Sequence, residues 1–277
     1  MMPNTVSTLL PSLFMFARWI QSWIGLLIAT SAVVLMLASK QATAADVPVQ
    51  IEFTKQQGQL TQEIIQLLDR QHYQHRDLND EFANDVFNRY LKLLDPQHIY
   101  LSQADLEPFN YLSSELDDLL AQGDLSPMAA LYNLLQQRRL AFIDYNLGVF
   151  SQGEPMFDFE RLEDISTSPY ENPRVTNLEA LKDTWRKQLK NEFINGQLSN
   201  ESVKQIKDRL QKRYTNIRKR VLQVELRDAY LAVSNSITTV TGPHTTYLSP
   251  RNVEDFNIDM SLSLEGIGAV LQRDNDY

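Results

Sequence analysis

The chain has 277 residues, of which 43% are hydrophobic, so it is long enough to bury a sizeable core in one large or two ordinary domains. Its formal net charge is −9 and it contains no basic tract, which argues against a nucleic acid as a partner. Cysteine is absent, and this excludes disulfides, thiolate nucleophiles and cysteine-based metal centres.

Residues 1–44 have the pattern of a signal peptide. Arg18 precedes an almost unbroken apolar run over residues 23–38, and a small-residue stretch then ends at Ala44. We therefore predict cleavage after Ala44 and a periplasmic location for the body of the protein. The alternative is an uncleaved inner-membrane anchor, because residues 19–38 are long enough to cross a bilayer. In both cases the membrane is a partner only through this segment.

Between residues 59 and 240 the apolar residues recur at three- and four-residue intervals, which is the period of a helix and not of a strand. The body of the protein is therefore predicted to be mainly α. One helix is expected to begin after Asn79, a good N-terminal cap. It should end at Asp95, because the residue before Pro96 avoids the helical conformation.

Two further helices are predicted in the next stretch of the chain. The first begins with a cap at Ser102, supported by Asp105, and ends near Gly123. The second is capped by Ser126, with a proline at its first helical position, and runs toward Gly148.

Residues 148–174 contain three prolines, two glycines and no apolar period, so they are predicted to form a long loop or a partner-facing excursion. A helix is expected to follow from a capping box at Thr176–Glu179 and to end at Gly196. Its apolar face comprises Leu178, Leu181, Trp185, Leu189 and Phe193. The next helix is predicted from about Asn200, extending with a bend to Val240.

The pattern changes after residue 256. Residues 260–264 alternate between apolar and polar, which is typical of a strand, and residues 265–271 join a glycine pair to another apolar run. We therefore predict a helical domain over residues 45–256, followed over residues 257–277 by the first strands of a truncated PDZ-like β domain. The remainder of that domain is expected beyond this chain, because so short a β segment is not stable alone.

The glycine pair lies in the candidate binding site, formed by Glu265, Gly266, Ile267 and Gly268. Glycine permits backbone conformations in which consecutive N–H groups converge on an anion, and an apolar strand after it can pair with an extended peptide. Together these are the parts of a loop that captures a peptide carboxylate, as in PDZ domains. The alternative is a tight turn between two strands.

The sequence also contains one internal repeat. Residues 96–109 align with residues 243–256 and share proline, tyrosine, leucine, serine, glutamate and phenylalanine at six of fourteen positions. Each copy follows a helix that proline ends, and each presents Tyr-Leu-Ser before a helix cap. We interpret the repeat as one corner geometry used twice. The alternative is a chance coincidence among residues that commonly end helices.

No catalytic constellation can be assembled from the sequence. His72 and His75 lie three residues apart, but no third metal ligand is indicated, and their polar neighbours favour a solvated pair. His98 and His244 lie in the two corners, where a side chain that bonds the backbone of its turn is expected. No phosphate-binding loop, dinucleotide fingerprint or HExxH helix is present, so the sequence indicates no metal, no cofactor and no catalytic residue.

Residues 242–252 and 260–272 closely resemble the tail-specific (carboxy-terminal processing) proteases. In that family an Asp-Pro-His-Thr-x-Tyr-Leu motif leads from a helical amino-terminal domain into the PDZ domain. Here Gly242 replaces the aspartate, which puts a capping or salt-bridge role at that position in doubt. Residues 90–96 and 100–101 also look like the amino-terminal domain of the family.

The resemblance covers about residues 55–277. It implies a periplasmic serine endopeptidase that recognises protein substrates with apolar carboxy-terminal tails and uses a Ser/Lys dyad, in which a neutral lysine takes the proton of the serine. Family members carry that dyad beyond the PDZ domain. This chain is therefore expected to hold the helical platform and the start of the tail-recognition module, without the catalytic residues. The resemblance leaves open whether an adaptor protein docks on the helices.

Two other functions stay open from the sequence. The chain can be an exported, non-enzymatic helical binding or scaffold protein, or a membrane-anchored interaction domain. The genomic reading frame after Tyr277 would separate them from the protease, because a continuation with the rest of a PDZ domain and a serine-protease segment favours the protease.

Overall fold

The computed structural model of the protein describes residues 47–152, 156–166 and 172–261. Residues 1–47 form one unit, of which only Val47 is described, and the residues from 48 onward form another. Within the described residues the second unit contains helices and turns but no strand, so the mainly α prediction is confirmed. Its helices are α1 (Lys55–Gln71), α2 (Asp80–Leu94), α3 (Gln103–Leu106), α4 (Leu112–Gln122), α5 (Ser126–Ser151), α6 (Leu178–Leu198), α7 (Val203–Leu222), α8 (Leu226–Thr241) and α9 (Pro250–Ser261).

Polar side chains cap the starts of several helices. Thr54 and Ser202 open α1 and α7 through reciprocal capping boxes, in which side chain and backbone satisfy each other. Asn79 accepts a hydrogen bond from the Phe82 N–H at the start of α2, and that helix ends at Leu94. Both ends of α2 are as predicted.

The helix predicted from Ser102 to Gly123 is divided. Ser102 and Asp105 form the predicted capping box, but α3 has only four residues, and a 3-10 turn over Glu107–Phe109 follows it. Pro108 explains the break, because proline has no N–H to continue the helical hydrogen bonds. The predicted end at Gly123 is confirmed, since this glycine terminates α4 in the left-handed conformation with a φ of 73°.

Two predicted helix caps are wrong. Leu125 occupies the capping position of α5, so Ser126 is already helical and no side chain caps this helix. Helix α6 is capped by Asn177, whose side chain accepts the N–H of Ala180, and not by the Thr176–Glu179 box. Asparagine one residue later offers a short side-chain oxygen at the same end, and it prevails.

The predicted end of α6 at Gly196 is also wrong. The helix continues to Leu198, and a Cβ atom at position 196 would lie 2.6 Å from the Ile206 side chain. The glycine therefore permits close packing of α6 against α7 and does not end a helix. The single bent helix predicted to Val240 is two helices, because the chain turns at residues 223–225 and moves from one part of the core to another.

Helix α9 occupies the place where the first strand was expected to begin. Met260 and Ser261 are helical, so the prediction of a strand starting at Met260 is wrong. Ser249 starts this helix, because its hydroxyl accepts the N–H of Asn252 at 3.4 Å. No residue of α9 is buried. Residues 262–277, with the rest of the predicted β segment, lie outside the described residues.

The core consists of two apolar clusters connected by α5. The first cluster gathers α1, α2, α4, the first part of α5 as far as Leu135, and α8. The second cluster gathers α5 from Leu140 onward together with α6 and α7. The apolar face predicted for α6 is confirmed, because Trp185 and its neighbours on that face are buried in the second cluster. Tyr100 packs against both clusters.

The long loop predicted over residues 148–174 is confirmed for its described residues from 152 onward, which contain no regular element. Its start was wrong, because residues 148–151 still belong to α5. Its side chains nevertheless hold it to the helices, and Glu163 contacts both Arg186 and Lys190 of α6. No helix in the described ranges combines the length and apolarity needed to cross a bilayer.

Candidate functional site

The corner that follows α2 is closed by a buried carboxylate. We call residues 95–102 the first corner. Asp95, at the end of α2, is completely buried. Its oxygens accept the backbone N–H groups of Ile99 at 3.0 Å, Tyr100 at 3.3 Å and Leu101 at 3.1 Å. One side chain thus satisfies three consecutive donors and fixes the path of the Tyr-Leu-Ser segment.

Two distant segments attach to the first corner. Arg174, at the end of the long loop, donates to Asp95 at 2.5 Å and to the Leu101 carbonyl at 3.2 Å, and its side chain is only 11% exposed. Trp185 of α6 donates its indole N–H to the Ile99 carbonyl at 2.6 Å. A buried carboxylate is tolerated only when it is paired and hydrogen-bonded, so Arg174 completes the corner.

The helix that leaves the first corner is fixed by a second ion pair. Arg138 of α5 donates to the carboxylate of Asp105 at 2.6 Å, and the Ser102 hydroxyl donates to the same carboxylate at 2.8 Å. Burial alone would raise the pKa of Asp105, but these hydrogen bonds outweigh it and hold that pKa below its usual range. Asp105 is therefore anionic at neutral pH and anchors α3 to α5.

The corner that follows α8 repeats the turn of the first. We call residues 242–249 the second corner. The Thr245 N–H donates to the Gly242 carbonyl at 3.0 Å, and at the matching positions of the first corner the His98 N–H donates to the Asp95 carbonyl at 3.2 Å. The two turns differ at one residue, because His98 has a φ of 55° whereas Thr245 has a negative φ.

The cap after the turn is repeated as well. Ser249 accepts the N–H of Asn252 at 3.4 Å, and Ser102 accepts that of Asp105 at 3.3 Å. The hydrogen-bonded turn and the serine cap therefore coincide at aligned positions. The prediction of one corner geometry used twice is confirmed for these two features.

The second corner satisfies its backbone in a different way, because Gly242 has no side chain. The Tyr247 N–H, which corresponds to that of Tyr100, donates to the side-chain oxygen of Asn235 on α8 at 3.0 Å. His72 occupies the space that a side chain at position 242 would enter, since a Cβ there would lie 3.1 Å from its ring. Asn235 thus accepts the Tyr247 N–H as Asp95 accepts the corresponding Tyr100 N–H.

The histidines differ in part from the sequence prediction. His72 and His75 are not a solvated pair, because the His72 ring bonds the Thr245 hydroxyl at 2.8 Å, whereas the exposed His75 lies between two aspartates. His98 does bond the backbone, at 2.5 Å, but at Asn172 of the long loop and not in its own turn. His244 is exposed. Among the residues that the structure describes, no group of three or more His, Asp or Glu side chains is arranged to hold a metal ion.

The predicted carboxylate-binding residues Glu265, Gly266, Ile267 and Gly268 lie outside the described residues, so their role stays a prediction. Sequence reasoning missed Arg174 and Asn235, which are the polar partners of the two corners. The aspartate in the family motif was a usable signal for the first corner, where Asp95 precedes proline. Nothing near Arg174 or Asn235 in the sequence points to the corner that each one serves.

Comparison with known proteins places these corners in a family. The chain matches the family described as "Tail specific protease N-terminal domain" over residues 64–251, from within α1 to just beyond the second corner. It is 32% identical over 238 residues to the tail-specific protease of Haemophilus influenzae, and the alignment covers 85% of this chain and 34% of that relative. The chain thus spans about a third of the length of this relative. The chain therefore belongs to the tail-specific protease family, and its helical body is the amino-terminal domain of that family.

Proposed function

We propose that this chain is the helical platform of a periplasmic tail-specific serine endopeptidase. The observation that carries the proposal is the extent of the family match, which takes in almost the whole described helical body and ends beside the second corner. That corner carries the motif which, in the family, leads into the tail-recognition module. The platform thus directs the chain toward the site where a substrate tail is recognised.

The chemistry proposed for the complete enzyme follows the resemblance. Protein substrates with apolar carboxy-terminal tails are captured at Glu265, Gly266, Ile267 and Gly268, where backbone N–H groups receive the terminal carboxylate. Hydrolysis is performed by a serine activated by a neutral lysine, both supplied outside these residues. The periplasmic location is supported by the apolar run and small residues of residues 1–44.

The second corner gives the platform a definite exit direction. Tyr247 packs edge-on against Tyr230 of α8, with ring centroids 5.9 Å apart, and its backbone N–H is held by Asn235. Ser249 then starts α9 directly. Because these contacts leave little freedom between α8 and α9, we propose that the corner sets the orientation of the module that follows.

The test compares this chain with a version extended through the following reading frame. Each is incubated with an unstructured reporter protein that ends in apolar residues, and with the same reporter ending in aspartates as the control. We expect the extended version to degrade only the apolar-tailed reporter and the 277-residue chain to degrade neither. If the reading frame does not continue, or if the extended version shows no tail-dependent cleavage, the chain is instead an exported helical scaffold protein.

A further inference from the structure

A cavity of about 290 Å³ opens between α5 and α7, next to the first corner. Its wall contains two arginines, Arg139 and Arg220, the buried amide of Gln136 and the ring of Tyr100. The remaining wall is made of four aliphatic side chains from α5, α7 and the turn after α7. No acidic residue lines it. The cavity lies between the first and second clusters, which is a usual place for a ligand site.

The two arginines of this cavity are not paired with carboxylates. Arg139 donates to the Leu94 carbonyl at 3.0 Å and lies over the Tyr100 ring, 5.4 Å from its centroid. Within the described part of the chain, the Arg220 side chain makes no hydrogen bond or ion pair. By contrast, the adjacent Arg138 is paired with Asp105. In a chain with a net charge of −9, two unpaired guanidinium groups at one cavity create a local positive potential that attracts anions.

A buried polar group in the same wall is also unsatisfied. Gln136 is completely buried, and neither its amide nitrogen nor its amide oxygen has a hydrogen-bond partner among the described residues. The Tyr132 side chain lies beside the amide and interacts with it, which opposes the rise in the Tyr132 pKa that burial causes. Buried amides are nearly always fully paired in native proteins, so this one has bonding capacity left over beside the cavity. Its NH₂ group is a donor suited to an anionic oxygen.

The shape and chemistry of the cavity select the type of anion. Guanidinium groups match the planar, two-oxygen geometry of a carboxylate. Ile143, Ile217 and Val221 form an apolar wall beside these donors. A phosphate would leave that wall uncovered, whereas a carboxylate with an aliphatic group would bury both of its parts.

We propose that this cavity binds a carboxylate that carries a small aliphatic group. Two sources have this chemistry, namely the last residue of a polypeptide and a free branched-chain organic acid. The first source rests on the proposed function, and it would give the helical platform a tail-binding site separate from Glu265, Gly266, Ile267 and Gly268. In that case Tyr100, in the first corner, connects the ligand site to both apolar clusters.

The first experiment titrates the 277-residue chain with isovalerate by isothermal titration calorimetry. The variants are Arg139→Gln and Arg220→Gln, and Arg209→Gln is the matched control, because Arg209 lies on the same helix as Arg220 but pairs with Glu201 away from the cavity. We expect affinity to fall about tenfold for Arg139→Gln, less for the more exposed Arg220, and not at all for the control. Arg220→Gln keeps the test valid if Arg139→Gln does not fold.

A second experiment distinguishes the two sources. A fluorescein-labelled peptide that ends in Val-Val, with a free or an amidated carboxyl end, is followed by fluorescence polarisation. Competition between the free-acid peptide and isovalerate identifies a polypeptide tail, whereas binding of isovalerate alone identifies a free organic acid, and both support the site.

The proposal is overturned if isovalerate does not bind, or if its affinity is the same in the parent and both cavity variants. Peptide binding that resists both cavity substitutions but is lost in Gly266→Val would also overturn it, while leaving the proposed function intact.

Discussion

Trp185 connects α6 to the first corner through two kinds of contact. Its side chain is 1% exposed and stacks edge-on against Phe142, with ring centroids 5.6 Å apart. Its indole N–H also donates to the Ile99 carbonyl. Apolar packing and a buried hydrogen bond therefore depend on the same residue.

Replacing Trp185 separates these two contributions. We expect Trp185→Ala to lower the free energy of unfolding by about 3–5 kcal/mol, because it leaves a large cavity in the second cluster. Trp185→Phe retains most of the packing and should cost about 1–3 kcal/mol, chiefly through the unpaired Ile99 carbonyl. Leu198→Ala is the control, because Leu198 is 76% exposed and its loss should stay within about 0.5 kcal/mol. Urea unfolding measures all three, and coincident curves for Trp185→Ala and the parent would refute the assigned packing.

In the second corner, we predict that an aspartate at position 242 can replace Asn235 as the acceptor of the Tyr247 N–H only when His72 is removed. Asn235→Ala should cost about 1–2 kcal/mol, because the Tyr247 N–H loses its acceptor. Adding Gly242→Asp should not restore stability, since His72 fills the space that the new side chain needs. Adding His72→Ala as well should recover part of the loss, because the aspartate can then cap the corner as Asp95 caps the first.

A cycle of chemical unfolding measurements on these variants checks the exchange. Asn235→Asp serves as the control, because it retains an acceptor oxygen and should be close to the parent. Full recovery by Gly242→Asp with His72 still present would show that His72 does not occupy the position assigned to it.

The residues of the corners show what a sequence can and cannot predict at this scale. Asn79 and Ser102 act on the residues directly after them, and these two local caps were predicted correctly. The caps predicted at Ser126 and Thr176 were each wrong by one residue. Arg174 acts on a side-chain carboxylate 79 positions away, and Asn235 acts on a backbone N–H 12 positions away. The packing of whole helices brings these residues to their partners. A local sequence pattern therefore cannot predict the contacts.

At the scale of elements, α1 and α4 meet at a pair of glycines. A Cβ atom on Gly58 would lie 2.3 Å from the Gly123 carbonyl oxygen, which is closer than any real contact. Gln62, one turn further along α1, donates to the Ala121 carbonyl at 2.7 Å. The backbones of the two helices therefore touch where glycine alone allows it.

The contrast between two helical glycines tests this contact. Gly58→Ala should destabilise the protein by about 1–3 kcal/mol, because the methyl group forces α1 away from the end of α4. Gly148→Ala is the matched control, since a Cβ there meets nothing within 4 Å, and it should stabilise α5 by about 0.5–1 kcal/mol. Thermal unfolding of both variants gives the signs, and equal effects at the two positions would contradict the close approach.

The attachment of the long loop to α6 is expected to depend on pH. Hydrogen bonds from Arg186 and Lys190 lower the pKa of Glu163 to about 2 from its usual value of 4.5. A carboxylate with a lowered pKa in the folded state stabilises the protein fully above its unfolded pKa, and that contribution is lost as the pH falls toward 2. The ion pairs that attach Glu163 of the loop to α6 should therefore be lost in acid.

Glu163→Gln reveals this contribution when unfolding is measured across the pH range. The variant should be less stable than the parent at pH 7, and the difference should close as the pH falls from about 4.5 to about 2. Glu179→Gln is the control, because Glu179 forms only an exposed pair with Lys182. A difference that is constant with pH would mean that the charge of Glu163 does not hold the loop.

Element boundaries were predicted from the sequence where a single residue decides them. Gly123 and the proline after Asp95 are such cases. The break at Pro108 and the turn at residues 223–225 were missed, because there the apolar period continues through the break. A strand beginning at Met260 was wrong because the helix that Ser249 starts still includes Met260 and Ser261.

For the whole molecule, the prediction concerns residues 1–44. We expect the protein to be exported and cleaved after Ala44, because small residues directly follow the apolar run. Amino-terminal sequencing of the protein from a periplasmic extract should begin at Ala45. Ala44→Arg is the test variant and should accumulate uncleaved in the membrane fraction, whereas Lys40→Arg, which keeps the charge, should behave as the parent. An intact Met1 on the parent protein in a membrane fraction would support the anchor instead.

The contact between α1 and α8 has a consequence for the timing of synthesis. Thr61 and Tyr230 share a buried hydrogen bond although 169 positions separate them, so the first cluster needs α8 before it can close. At translation rates of about 5–20 residues per second, the apolar face of α1 waits for roughly 10–30 s after it leaves the ribosome. During that interval the first cluster is not closed, whereas the second cluster already has all of its helices once α7 has been made. For a protein exported as we propose, this delay keeps the first cluster unfolded, and able to pass through a translocation channel, until α8 has been made.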